Sequence, residues 1–170
     1  MILHPECQVT AQKEIDSVVG DLRLPDFGDR DNLPFVECIL QEILRWNPAI
    51  PLGVPHRTME DDLYRGMLIP KGALVFPNIK AMALDARVYS QPTVFYPERY
   101  LPKPAGNGEP HFINIAFGFG RRVCTGRYLA ENSVWIAIAT ILASCTITNA
   151  VDEHGEIIVP ENVLSDGLVR

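Results

Sequence analysis

Phe117-Gly118-Phe119-Gly120-Arg121-Arg122-Val123-Cys124-Thr125-Gly126 is the stretch on which the reading of this sequence turns. Its three glycines let the backbone turn tightly and approach a ligand closely. Cys124 stands two residues before the expected start of a helix, where unpaired N–H groups favour an anion. Arg121, Arg122 and Arg127 surround it, and no acidic residue lies between Pro110 and Ala130. Such surroundings suit a thiolate, the form of cysteine that binds a metal or attacks an electrophile. They also suit a small core cysteine placed before a helix. The loop alone leaves both readings open.

Downstream, Gly126 to about Ser144 (126–144) predicts a long helix. Leu129, Trp135, Ile136, Ile138, Ile141 and Leu142 leave it little polar face after Asn132, and a helix apolar nearly all round is normally central in a larger protein. Thr146-Ile147-Thr148 and Glu156 to Val159, around Asp152-Glu153-His154-Gly155, predict a terminal hairpin within 145–170. Upstream, the meander and Cys loop (85–125) hold Pro92, Pro97, Pro102, Pro104 and Pro110, and no regular element is expected over 85–123. A loop of that length is usually functional or disordered. Tyr89, Phe95, Tyr100, Phe112 and Phe117 suggest instead that it packs against something large.

Further toward the start, a helix pair is expected over 4–46. His4 to Val19 forms the first helix, with Pro5 at its first position and Gly20 as C-cap. Pro34 to Trp46 forms the second, with a 3.6-residue period in Phe35, Val36, Ile39, Leu40, Ile43 and Leu44. Asn47-Pro48 stops it. A small β region follows over 49–77. Asp62–Tyr64, Met67–Ile69 and Ala73–Phe76 read as short strands, with Arg65-Gly66 and Lys71-Gly72 as hairpin turns. Asn78 is expected to cap a short helix to Leu84.

The chain has 170 residues, 47% hydrophobic and 21% charged, which is the profile of a globular chain with a real core. Its net charge of −6 argues against a nucleic-acid partner, because phosphate binding needs a basic surplus. Cys7, Cys38, Cys124 and Cys145 make no C-x-x-C pair, so a zinc knuckle is not expected and the thiols read as reduced. Val134 to Cys145, the longest nearly apolar stretch, falls well short of the about 20 residues of a spanning helix. No membrane span, signal peptide or anchor is expected in this chain, which reads as cytoplasmic or of unknown location.

Two further motifs carry weight in combination. Glu42 and Arg45 share one helix face at i,i+3, a spacing common in surface pairs. Pro97-Glu98-Arg99-Tyr100 lies in the meander. In this order and spacing, the motifs resemble the cytochrome P450 family, the haem-thiolate monooxygenases. The Cys loop fits Phe-x-x-Gly-x-Arg-x-Cys-x-Gly at Phe117, Gly120, Arg122, Cys124 and Gly126. Glu42 and Arg45 fit Glu-x-x-Arg. Residues 97–100 fit Pro-Glu-Arg-Phe, with Tyr100 for Phe. His4 to Gly20 and Pro51 to Arg57 look most like fungal members.

The resemblance implies a mainly α fold with small β hairpins (α+β), the C-terminal portion of the cytochrome P450 fold, with 1–170 as part of one haem domain. Cys124 would be the axial thiolate on the iron of haem b, where it favours O–O cleavage. Phe117 would pack by the sulfur, and Gly120 and Gly126 would let backbone N–H groups reach it. Arg122 and Arg57 would pair with haem propionates. Glu42, Arg45 and Arg99 would lock the meander to the second helix. Ile50, Leu52, Gly53 and Val54 would lie near a cavity for an apolar small-molecule substrate. Arg121 and Arg127 would belong to a basic face offered to an NADPH-dependent reductase, although exposed arginines also serve solubility. The full-length family member would sit at the endoplasmic reticulum membrane, on its cytosolic face. Thr125 departs from the apolar residue or proline usual after the cysteine.

The family's haem domain is longer, so the sequence is expected to correspond to its C-terminal third or to a truncated chain, with the oxygen-activating helix upstream of Met1. Two rival readings follow. One is a non-catalytic remnant that binds haem weakly or not at all. The other is a thiol enzyme with Cys124 as nucleophile and His111 or His56 as base.

Overall fold

The structure is a computed structural model and describes residues 1–160. Its core is laid down by two helices with periodic apolar faces. Helix α1 (Pro5–Val18) buries Cys7, Ala11 and Ile15, four residues apart on one face. It stops one residue short of the expected Val19, before Gly20 at φ +74. Helix α2 (Pro34–Trp46) keeps the expected limits. It is buried on two sides. Phe35, Val36, Ile39 and Leu40 join α1 residues, Trp135, Ala139 and Leu142 in one core. Cys38 joins Ile79, Ala83, Tyr89, Tyr100 and Phe112 in a second. Helix α2 is therefore the wall between two cores.

Helix α5 (Arg127–Ser144) rests one face on α1 and α2 through Trp135, Ala139 and Leu142. Its expected all-round burial is not seen among the described residues: Leu129 is 75% exposed and Ile141 48%. The reason is geometric, since α1 and α2 both pack on the same side. Polar side chains then fix the ends. Gln12 Nε2 donates to the carbonyls of Leu142 and Cys145, capping the C-terminal end of α5. Gln8 bonds Ile147 twice, donating to its C=O at 3.2 Å and accepting from its N–H at 2.9 Å.

Among the described residues the sheets are three separate antiparallel pairs. β1 (His56–Arg57) pairs with β4 (Leu74–Val75), and β2 (Asp62–Tyr64) with β3 (Met67–Ile69). Arg65 (φ 50) and Gly66 (φ 81) make the tight turn between β2 and β3. Lys71-Gly72 closes no hairpin, because the expected strand at Ala73–Phe76 shortens to β4 and pairs back across the sequence to β1. β5 (Ala150–Val151) pairs with β6 (Ile157–Ile158). The expected strand at Thr146–Thr148 is absent, since both backbone groups of Ile147 are taken by Gln8. The rest of that expected hairpin, from 161 to Arg170, lies outside the described residues.

Helix α3 (Ile79–Ala83) is capped as expected, Asn78 Oδ1 accepting from Ala81 N–H at 3.0 Å. The meander is less irregular than expected. It contains a 3-10 turn at Pro97–Tyr100, a single helical turn α4 (Ile113–Ala116) and a second 3-10 turn at Gly120–Arg122. The chain is thus helical with small sheets.

The N-terminus of α2 has no side-chain cap of its own, and Glu14 of α1 supplies one by accepting from Phe35 and Val36 N–H. Burial raises the Glu14 carboxyl above its ordinary 4.5, against the pull of those two bonds. A raised acid disfavours its charged form, so the contribution of Glu14 is fullest below pH 4.5 and falls as pH rises through the raised value. Glu14→Ala should lower stability by about 1 kcal/mol. Glu14→Gln, which keeps an acceptor without the charge, should be tolerated at neutral pH. Thermal unfolding of both variants across the acid range checks the difference.

Candidate functional site

Glu42 lies fully buried on α2, and its carboxylate gathers five donor groups from two segments, α2 itself and residues 96–100. Arg45 Nε and Nη2 donate to it at 2.8 and 2.7 Å, and Arg99 Nε at 3.1 Å. Tyr96 N–H and Tyr100 O–H complete the set at 2.8 and 3.1 Å. Burial pushes the Tyr100 phenol up, so it stays protonated and donates to the carboxylate. Burial also works against the Arg45 charge, but the bonds to Glu42 outweigh it and hold the guanidinium protonated.

Every N–H of the two guanidinium groups has a partner. Arg45 gives its remaining donors to the carbonyls of Ala83, Pro92 and Val94. Arg99 reaches the carbonyls of Ser90, Gln91 and Val94 and the carboxylate of Glu109. The segment from 83 to 94 forms no strand and makes few backbone bonds of its own. The two arginines of this cluster stand in for a ladder.

Glu42, Arg45 and Arg99 alone would leave a net positive charge in the interior, and burying an uncompensated charge is costly. Glu109 removes the imbalance: its carboxylate meets Arg99 Nη1 at 2.9 Å and is 9% exposed. It also accepts from the N–H and Oγ–H of Ser90 and from Asn107 Nδ2. Burial alone would raise this carboxyl, but the bonds from Ser90, Arg99 and Asn107 prevail and lower it. Sequence reading missed Glu109, because a single acid in a loop has no spacing signal. The Tyr100 hydroxyl was legible only as a departure from a motif.

Phe112 and Ile113 are buried beside this cluster and lead into the Cys loop. Cys124 N–H donates to Phe117 C=O at 2.9 Å, which closes the loop at its neck. Gly118 (φ 84) and Gly120 (φ 57) occupy left-handed backbone that a larger residue adopts only with strain. Gly126 precedes α5, and a Cβ there would stand 3.8 Å from Cys124 Sγ. Phe117 is half-buried, while Arg121, Arg122, Val123, Cys124 and Thr125 are exposed. Arg127 ties back across the loop, donating from Nη2 to Asn114 Oδ1 at 3.1 Å.

The four cysteines divide by environment. Burial pushes Cys7 and Cys38 up to about 12, which keeps them as thiols. Cys124 and Cys145 are exposed. No hydrogen bond joins Cys124 to His56 or His111 among the described residues, and no N–H donates to its sulfur. His111 instead sets its ring edge-on to Tyr100 at 5.7 Å.

Arg57 and Arg122 are exposed, and among the described residues neither side chain makes a hydrogen bond or ion pair. Arg57 lies across the Gly72 turn, its Nη2 3.3 Å from where a Cβ of Gly72 would be. Ile50, Leu52, Gly53 and Val54 form a turn in which Gly53 N–H donates to Ile50 C=O. Gly53 has φ +61, and a Cβ there would come within 2.5 Å of Pro77 Cγ, so this position is a packing constraint. Ile50, Leu52 and Val54 are exposed.

An accessible cysteine thus stands on a glycine-punctuated loop at the foot of a long helix. The Cytochrome P450 family model matches residues 1–165. A cytochrome P450 monooxygenase of Ampulloclitocybe clavipes, claR, is 50% identical over 169 residues, covering 99% of this chain and 32% of its own length. Cytochrome P450 monooxygenase 176 of Postia placenta is 46% identical over 172 residues, with 99% and 33% covered. A solved zebrafish cytochrome P450, described with abiraterone, superposes with a TM-score of 0.74 at 34% identity, covering 84% of this chain and 32% of that one. The chain belongs to the cytochrome P450 family. It spans about a third of the length of the curated relatives it matches. The fungal cast of its motifs agrees with these relatives.

The donor set suits the family's haem: a soft, accessible sulfur for iron, and two exposed guanidinium groups, without partners among the described residues, for its carboxylates.

Glu42→Ala should strand two buried guanidinium groups, at a cost of about 3–5 kcal/mol, a large share of a domain's stability. Loss of cooperative unfolding, or a large fall in Tm, is the expected result. Glu109→Gln should act more mildly and with a pH signature. A lowered carboxyl gives stability that is present above its ordinary 4.5 and lost as pH falls through the lowered value. The advantage of the wild type over Glu109→Gln should therefore vanish in acid, as denaturant titrations at several pH values would show.

Proposed function

We propose that these residues form the cysteine-ligand side of a haem-dependent monooxygenase, with Cys124 as the axial thiolate of haem b. The observation that carries the reading is the placement of Cys124: exposed, on a loop closed at its neck, two residues from Arg122, whose side chain has no partner among the described residues. Arg122 and Arg57 would hold the haem propionates, for which guanidinium forks are suited. Phe117, half-buried by the sulfur, would shield it from water, and Gly120 and Gly126 would let backbone and haem approach closely. When bound, the haem supplies oxygen activation, inserting one atom of O2 into an apolar organic substrate.

The chain's own residues bind and orient. Glu42, Arg45 and Arg99 hold the meander to α2 and take no part in the chemistry. Arg121 and Arg127 would face the electron donor, an NADPH-dependent reductase. Ile50, Leu52, Gly53 and Val54 would border the substrate, their apolar side chains fitting a hydrophobic one. No helix among the described residues is long and apolar enough to cross a membrane. Attachment to the cytosolic face of the endoplasmic reticulum would then rest on residues other than those described.

Haem titration followed by the reduced, CO-bound difference spectrum tests the assignment. The wild type should show the strongly red-shifted band of thiolate ligation. Cys124→Ala should abolish it, and Cys145→Ala should keep it. Loss of the band in Cys145→Ala with retention in Cys124→Ala would overturn the assignment.

A further inference from the structure

The Cys loop is anchored at both ends, and Gln41 stands where the two anchors meet. Gln41 is 1% exposed on α2, one residue before Glu42. Its Oε1 accepts from Ile113 N–H at 3.0 Å, and its Nε2 donates to Glu37 Oε1 at 2.8 Å. Glu37 Oε2 accepts in turn from Arg30 Nε and Nη2 at 3.1 and 2.8 Å. Arg30 then reaches α5, donating to Glu131 Oε1 at 2.9 Å and to Asn132 Oδ1 at 2.7 Å. A continuous polar chain thus runs from Ile113, before the Cys loop, to residues 131 and 132, after it.

The position at Ile113 is sensitive. α4 is only four residues long and has no side-chain cap, so it cannot hold itself in place. Its first N–H is buried, and Gln41 provides its acceptor. The amide has one workable orientation. Flipped, its NH2 would face the Ile113 N–H, and its oxygen would face the Glu37 carboxylate. Donor and acceptor are both used, so the side chain is locked at either end.

We propose that Gln41 is a positioning residue for Cys124, holding the start of the Cys loop at the height that presents the sulfur to haem. The proposal rests on the reading of Cys124 as the iron ligand. It goes beyond the Glu42 cluster, because the bond to Ile113 holds the residue that leads into the Cys loop.

Gln8 offers a matched control. It is 4% exposed on α1, and it likewise accepts from one backbone N–H and donates one bond, both to Ile147, outside the Cys loop. Gln41→Met and Gln8→Met remove the same chemistry in two places. Both should lower Tm. In the haem-loaded protein, Gln41→Met should weaken haem affinity about tenfold, the low end for partners that orient a metal ligand, and move part of the CO complex out of the red-shifted band. Gln8→Met should leave both unchanged. Equal loss of the band in the two variants at equal loss of Tm would overturn the proposal, leaving Gln41 a structural cap. Absence of the band in the wild type would instead overturn the reading of Cys124, and the proposal with it. A readout independent of haem and of variant yield is amide exchange. Ile113 should be as protected as the buried amides of α2, and exchange at the rate of exposed loop amides would contradict its anchoring by Gln41.

Discussion

One buried carboxylate, that of Glu42, sets the terms for the rest of the structure. It sits between two buried guanidinium groups that would be intolerable alone, and those groups face a backbone that would be unsatisfied alone. Neither problem has a separate solution. Solved together, they give a meander rich in proline that is ordered without forming a sheet or a long helix. Glu109 completes the arrangement by matching the second positive charge. Charge balance, more than the number of ion pairs, is why this cluster can be fully buried.

The consequences reach the Cys loop through packing. The meander delivers Tyr89, Tyr100 and Phe112 into the second core, against Cys38 on α2. Phe112 and Ile113 are therefore fixed where the loop begins. Its end is fixed by α5, which rests on α1 and α2 through the first core. Helix α2 touches both cores and both polar networks, so the Cys loop is referenced to one rigid element. Cys124 is exposed, while Gln41 and Phe112, at the start of its loop, are buried. Loops carry function in this way when a scaffold holds their ends.

Much of this was legible in the sequence, for local reasons. Helix α2 could be bounded because Pro34 opens it, Asn47-Pro48 closes it and its apolar period is strong. The turn at Arg65-Gly66 was legible because glycine there serves a hairpin of adjacent strands. The pairing of β4 with β1 was not, because it depends on contacts across the sequence. Thr146–Thr148 had the composition of a strand, but Gln8 took the backbone groups of Ile147. Glu42, Arg45 and Arg99 could be named through resemblance to a family; their spacing alone fits many surface pairs. Glu109 and Gln41 had no such signal. Each is a lone polar residue whose role is set by what the fold brings against it.

The central claim is that the sulfur of Cys124 ligates haem iron. Resonance Raman spectroscopy of the ferric, haem-loaded protein, grown with cysteine of natural or heavy-isotope sulfur, tests it most directly. The account predicts an iron–sulfur stretching band that moves to lower frequency with the heavy isotope and survives substitution of Cys7, Cys38 and Cys145. A spectrum insensitive to the sulfur isotope, with the iron held by a nitrogen ligand, would contradict it.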